Sequence, residues 1–173
     1  MRPHAIFSVC SSLLAVMIGS QASLAADATP SLEGTWTLKA AYDLHKDGSK
    51  TFGFGSAPAG LLMIDHEGRY SLQIYRSNEP TYATDAKGVR TEFKPAEIAS
   101  THYGEVHLDS ATHMVTFKIE RAYNLRWNGT EQVRPYMLSA DELSYQVPKQ
   151  PGSDTVAVSV WQRAQSMHSR SDP

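Results

Sequence analysis

Tyrosine, histidine and arginine side chains occupy inward-facing positions of the strands predicted below, and they are the residues best suited to chemistry. The candidate ligand-binding residues are Tyr42, Tyr70, His102, His113, Arg134, Tyr136 and Tyr145. Tyrosines suit a ligand with a flat apolar body and a polar group, and they equally suit an ordinary core. An inward-facing arginine is costly unless it is paired. We therefore expect Arg134 to meet either a buried carboxylate, in a structural role, or an anionic ligand.

Acid–base chemistry is the form of catalysis that these residue types allow. His102 or His113 could act as acid or base, while Tyr103 or Arg134 polarises a carbonyl. The chain has no Gly-x-Ser-x-Gly elbow, and its one cysteine, Cys10, lies in the leader described below. The sequence names no catalytic residue and leaves open whether the protein is an enzyme.

The histidine spacing does not predict a metal site. His102 and His107 are five residues apart, which puts them on opposite faces of a strand, and no zinc-site motif follows any histidine. His102 and His113 would share the inward face but lie near opposite ends of their hairpin. We expect no metal and no cofactor.

The first 25 residues have the three-part pattern of a secretory signal peptide. Arg2 provides the basic start, an uncharged apolar run follows, and Ser23, Leu24 and Ala25 resemble a cleavage site. We expect residues 1–25 to be removed, residues 26–165 to form one domain, and residues 166–173 to be a flexible tail. The mature protein would be periplasmic or secreted, and it would contain no disulfide because Cys10 lies in the leader.

Charge and hydropathy limit the classes of partner. The formal net charge is −2, and no basic stripe is present, so we expect no nucleic-acid partner. No second hydrophobic span follows the leader, so we expect no membrane span after its removal. The oligomeric state is left open.

Alternation of apolar and polar residues predicts about eight strands and almost no helix. The first strand starts at Gly34, with Trp36, Leu38, Ala40 and Tyr42 on one face. Residues 60–65 and 69–76 form a hairpin in which a two-residue turn would place Met63 opposite Leu72 and Leu61 opposite Ile74.

Two more hairpins follow a segment without strand pattern. Residues 77–100 are predicted to form a long loop with a short helix beginning at Pro95, which could cover one end of the sheet. Residues 101–108 pair with 113–121, which places Leu108 opposite His113, Gly104 opposite Phe117, and Arg121 on the inward face. Residues 130–138 pair with 143–147, which places Tyr136 opposite Tyr145 and Arg134 opposite Val147.

Sequential hairpins favour an all-β fold, an eight-stranded antiparallel up-and-down barrel, over an open sandwich. The last strand, residues 155–163, ends at Arg163. If it pairs with the first strand, Arg163 can stack on Trp36 and the sheet closes. Such a barrel either is filled by side chains or holds one small ligand.

Six segments of the sequence match a known pattern in their order and spacing. They are Leu32-x-Gly34-Thr35-Trp36-x-Leu38, Pro58-x-Gly60-Leu61-Leu62, Asp65-x-x-Gly68-Arg69-Tyr70-Ser71, Tyr103-Gly104, Gly129-Thr130-Glu131-Gln132-Val133-Arg134 and Trp161-x-Arg163. Together they resemble the lipocalin-like domain family, a calycin-type barrel, and in particular its bacterial secreted members. The resemblance implies a small barrel around a central cavity, and it does not imply one activity.

The leading functional hypothesis is an exported barrel that binds a small apolar or aromatic molecule in its cavity. One alternative is a small cofactor-free enzyme, such as an isomerase, cyclase or hydrolase, that uses the same cavity. The other is a structural or inhibitory barrel with a packed interior.

Overall fold

The computed structural model describes residues 31–77, 82–147 and 154–165. In this part of the chain the strands are β1 (Gly34–His45), β2 (Lys50–Thr51), β3 (Ala59–Ile64), β4 (Arg69–Tyr75), β5 (Tyr82–Thr84), β6 (Arg90–Glu92), β7 (Ala99–Asp109), β8 (Met114–Ala122), β9 (Thr130–Leu138), β10 (Glu142–Gln146) and β11 (Thr155–Arg163). The helix α1 spans Pro95–Ile98, and a 3-10 helix spans Leu125–Trp127. The predicted leader and tail lie outside the described residues.

Eight of these strands close into an antiparallel barrel. The order is β1, β3, β4, β7, β8, β9, β10, β11, and β11 pairs back onto β1. Each barrel strand therefore lies beside its neighbours in the chain, and the closure leaves none of the eight with a free edge. The predicted up-and-down barrel is confirmed.

The closing seam is the pairing of β1 with β11. Trp36 lies opposite Arg163, and Leu38 lies opposite Trp161. A bulge between Leu38 and Ala40 then shifts the register, so that Ala41 lies opposite Ser159 and shares the inward face. The expectation that Ala40 and Tyr42 continue the face of Trp36 is wrong, because the extra residue reverses the alternation.

The hairpin of β3 and β4 differs by one residue from the predicted register. Leu62 faces Leu72 and Met63 faces Ser71. The turn holds three residues rather than two, since the Asp65 carboxylate accepts hydrogen bonds from the backbone N–H groups of Glu67 and Arg69. Gly68 adopts φ 82°, the left-handed conformation that this turn requires. The Asp-x-x-Gly sequence of residues 65–68 is typical of such a turn and could have predicted it.

The hairpin of β7 and β8 is shifted by two residues from the prediction. Val106 faces Phe117, and Gly104 faces Ile119. A shift of two preserves which residues point inward on each strand. It also moves His113 into the turn, with φ 55°, so the prediction that His113 lies on an inward strand face is wrong. The third hairpin has Tyr136 opposite Tyr145, as predicted.

Within residues 77–100 the predicted short helix is present as α1. The segment also contains a hairpin, β5 with β6, that the prediction missed. Its turn repeats the Asp-x-x-Gly chemistry, because the Asp85 carboxylate accepts from Lys87 and Val89 backbone N–H groups and Gly88 has φ 80°. The residues between Ser77 and Tyr82 lie outside the described part.

The hydrophobic core fills one end of the barrel. Trp36, Leu62, Phe117 and Trp161 are almost entirely buried there. Large rings bury enough apolar surface to supply much of the stability of a small domain. None of the helices in the described ranges is long and apolar enough to cross a membrane.

Candidate functional site

The other end of the barrel encloses a cavity of about 470 Å³. Its wall is largely apolar and includes Phe54, Leu72, Ile74, Trp127 and Val158. Ligand cavities of proteins commonly measure 300–1,000 Å³ and combine such walls with a few polar groups. The closed strand ring makes this space part of the barrel interior.

Arg134 forms the polar floor of the cavity, where open space meets the packed core. It lies on β9 and is only 3 % exposed. Its guanidinium carbon lies 4.8 Å from the ring centre of Phe117 and 5.1 Å from that of Tyr145. Its Nη2 donates a hydrogen bond to the Gln132 side chain, whereas its buried Nε has no acceptor within the described ranges. Burial lowers the pKa of Arg134, against the opposing effect of Tyr145 and Tyr70.

His102 lines the cavity beside this floor and is paired with Tyr70. The Tyr70 hydroxyl lies 2.7 Å from Nδ1 of His102, and both side chains are buried. Burial lowers the pKa of His102 to about 3, and the charge of Arg134 acts in the same direction. Burial raises the pKa of Tyr70. His102 is therefore neutral near pH 7. When the Tyr70 hydroxyl donates to Nδ1, the single ring proton of His102 is on Nε2.

Tyr145 and Ser159 complete the polar floor on neighbouring strands. They face each other across β10 and β11, and both line the cavity. Burial raises the pKa of the Tyr145 hydroxyl, while the charge of Arg134 opposes that shift. The floor thus combines one cation with neutral hydroxyl and imidazole groups.

The mouth of the cavity is formed by segments that join the strands. Phe54 follows β2, Ala96 lies on α1, and Tyr123 and Asn124 precede the 3-10 helix. The Arg76 guanidinium lies 3.5 Å from the ring centre of Phe93, just before α1, and donates to the Gly53 carbonyl. Arg76 thereby connects two segments of the mouth.

The structure brings together four of the seven candidate residues. Tyr42, His102, Arg134 and Tyr145 line the cavity, and Tyr70 lies directly behind His102. Tyr42 borders the mouth, where its ring packs against Phe52 and beneath the Lys50 ammonium.

The remaining two candidates, His113 and Tyr136, lie away from this cavity lining. His113 is exposed in its turn, and its ring centre lies 6.3 Å from that of Tyr136. Arg121, predicted to face inward, is exposed, because the bulge beside Gly104 alters the pairing at that end of β8. Whether any of the seven binds a ligand stays a prediction.

Several lining residues were missed by the sequence analysis. Ala41 was hidden by the bulge in β1, whose position no sequence pattern indicated. Ser159 is two residues before Trp161 on β11, so strand alternation could have found it. Phe54 and Trp127 come from connecting segments, which strand alternation does not cover.

The described residues contain no group of three or more His, Cys, Asp or Glu side chains that could hold a metal ion. Among the described residues that line the cavity, Asp43 on β1 is the one that bears a carboxylate. The arrangement can accept an apolar body and offer hydrogen-bond donors, including a cation, at its closed end.

An eight-stranded up-and-down barrel with an internal cavity is the binding-protein fold of the lipocalin-like class. The family model described as "Lipocalin-like domain" matches residues 33–164, and the chain belongs to that family. No curated protein matches the chain.

Proposed function

We propose that this protein is an exported binding protein that holds one small, largely apolar molecule in its barrel cavity. The observation that carries the proposal is the cavity of about 470 Å³, with a largely apolar wall, a buried polar floor and further polar groups at its mouth. Burial of apolar ligand surface against such a wall contributes roughly 25 cal/mol per Å². Export rests on the signal-peptide pattern of residues 1–25.

A packed structural barrel does not fit a cavity of this size, but a cofactor-free enzyme is a second candidate. The observation that favours an enzyme is His102, which has a shifted pKa and lies near Arg134. However, a general base works best when its pKa is near the operating pH. A pKa of about 3 makes His102 a weak base at pH 7 and favours a hydrogen-bonding role.

Binding can be tested with N-phenyl-1-naphthylamine, a neutral dye whose fluorescence rises in apolar surroundings. The mature chain should bind the dye with one site. Ala157→Phe places a ring in the cavity wall and should weaken binding by about tenfold, which corresponds to 1.4 kcal/mol. Ala111→Phe makes the same change in an exposed turn away from the cavity and should leave binding unchanged.

Two results would count against the proposal. One is the absence of any saturable fluorescence change with the wild-type protein. The other is equal binding by the Ala157→Phe and Ala111→Phe variants, since the dye would then sit outside the cavity. An enzyme would be indicated if a molecule bound in the cavity left with a changed mass, or with the same mass and a changed chromatographic retention, after incubation.

A further inference from the structure

Arg134 is a buried cation that has no carboxylate partner among the residues that the structure describes. In the parts of the chain that the structure describes, the ion pairs of Asp and Glu residues involve Lys39, Lys46, His66, Arg69 and Lys118. The groups in contact with the Arg134 guanidinium are the neutral side chains of Gln132 and Tyr145 and the ring of Phe117. A buried charge that lacks a counter-ion costs several kcal/mol.

Arg163 is an arginine with a structural role, and each of its three guanidinium nitrogens donates a hydrogen bond to a backbone carbonyl. Its Nε, Nη1 and Nη2 donate to the backbone carbonyls of Ala140, Glu33 and Ser31, at 2.6, 2.7 and 2.6 Å. By contrast, Arg134 donates to the Gln132 side-chain amide and interacts with the Tyr145 hydroxyl, while its buried Nε has no acceptor among the residues that the structure describes. The hydrogen-bonding capacity of Arg134 is therefore incompletely used, although it is the more deeply buried of the two.

The surroundings of Arg134 favour an anion over a neutral acceptor. His102 is neutral and Ser159 and Tyr145 are hydroxyls, so each can donate a hydrogen bond to an oxygen at the floor. Arginine and carboxylate groups form paired hydrogen bonds that are roughly twice as strong as neutral ones. Asp43, the carboxylate in the lining, lies on the mouth portion of β1, close to Gly53.

We propose that the bound molecule is an amphipathic monocarboxylate whose carboxylate pairs with Arg134 on the cavity floor. Its apolar body lies along Leu72, Ile74 and Trp127 toward the mouth. The inference rests on the proposed binding function and adds the charge and orientation of the ligand. A single cation at the closed end matches one carboxylate and selects against a cationic or uncharged head group.

The proposal can be tested by displacing N-phenyl-1-naphthylamine with three ten-carbon chains that differ only in their head groups. These are decanoate, decanol and decylammonium at pH 8. With the wild-type chain, decanoate should displace the dye at about tenfold lower concentration than decanol, which corresponds to 1.4 kcal/mol. Decylammonium should be the weakest of the three.

Variants of Arg134 separate charge from shape. Arg134→Met removes the cation at similar length and should bring decanoate within about twofold of decanol while decanol itself displaces as before. Arg134→Lys keeps the charge and should retain a preference for decanoate. Arg121→Met removes an exposed arginine and should not change the order of the three chains.

Each outcome is decisive. Equal displacement by decanoate and decanol in the wild type, or stronger displacement by decylammonium, would overturn the carboxylate assignment while the dye still shows that the cavity binds ligands. A preference for decanoate that survives Arg134→Met would also overturn it. If the dye does not bind at all, the proposed binding function fails, and the carboxylate assignment fails with it.

Discussion

Arg163 lies over the indole ring of Trp36, with its guanidinium carbon 4.0 Å from the ring centre. The two residues are direct partners on the last and first strands of the barrel. The Trp36 Nε1 donates to the Leu32 carbonyl at 2.9 Å, so the ring is held on its polar edge as well. This pair joins the ends of the chain and closes the sheet on its packed side.

Replacing Trp36 by alanine should lower the free energy of unfolding by about 3–5 kcal/mol, because a fully buried ring is lost and a cavity is left. Urea denaturation followed by circular dichroism measures this change. Tyr103→Ala, at an exposed position, is the control and should cost less than about 1 kcal/mol. A loss at Trp36 no larger than the control loss would show that the seam does not hold the barrel together.

Gly104 is required for the close approach of two strands. A Cβ at this position would overlap the Lys118 carbonyl oxygen and lie 2.9 Å from the Glu120 nitrogen. Gly104→Ala should therefore destabilise the fold by about 2 kcal/mol or more through overpacking of the backbone. Gly53→Ala, whose new Cβ would have its nearest contact at 3.9 Å, should change stability by less than about 0.5 kcal/mol. Equal midpoints for the two variants in urea would contradict this reading of Gly104.

The sequence was sufficient for the barrel, its strand order and its seam, because these follow from alternation, hairpin spacing and the Trp36–Arg163 pair. It was not sufficient for turn geometry. The Asp65 side chain recruits a third residue into its turn, and this shifts every pair of that hairpin by one. Gly104 was expected to lie opposite Phe117, but it lies opposite Ile119 and makes room for the backbone of β8.

The candidate site was predicted only in part, because its residues also depend on hairpin register and turn geometry. Arg134, Tyr145 and His102 face the cavity because the third hairpin had the predicted register and the second was shifted by an even number of residues. His113 was misplaced because it adopts a left-handed turn conformation that non-glycine residues seldom take. Ala41 faces inward because of the bulge in β1, and no sequence pattern predicted that bulge.

His102 should make the stability depend on pH. Its pKa is about 3 in the folded protein and 6.5 in the unfolded chain, so between these values the unfolded chain binds the extra proton. Stability should therefore fall as the pH is lowered from 6.5 toward 3, with a slope of up to about 1.4 kcal/mol per pH unit. Arg134 and Tyr70 are the ionisable groups that act on this histidine.

The measurement is urea denaturation at pH 7, 6 and 5 for the wild type and for His102→Gln, which cannot take up the proton. As the pH falls, the free energy of unfolding should decrease more for the wild type than for His102→Gln. His107→Gln, at an exposed site, should follow the wild type. Parallel pH profiles for the wild type and His102→Gln would mean that His102 titrates normally in the folded protein.

Arg134→Met should stabilise the ligand-free protein, because it removes a buried charge that pairs with no carboxylate in the described part of the chain. We expect a gain of about 1 kcal/mol in the free energy of unfolding, since replacement of buried charges by apolar groups is often neutral or stabilising. Thermal denaturation of ligand-free protein in the same buffer measures the gain. A loss of more than about 1 kcal/mol would assign Arg134 a structural role instead.

Native mass spectrometry of the protein purified from its own cells or their medium tests the proposed binding function most directly. We expect the wild-type spectrum to show an added mass of one small molecule, which organic extraction releases, and the Ala157→Phe spectrum to show less of it. Wild-type protein that repeatedly carries no added mass, from cells in several growth states, would contradict a ligand-filled cavity.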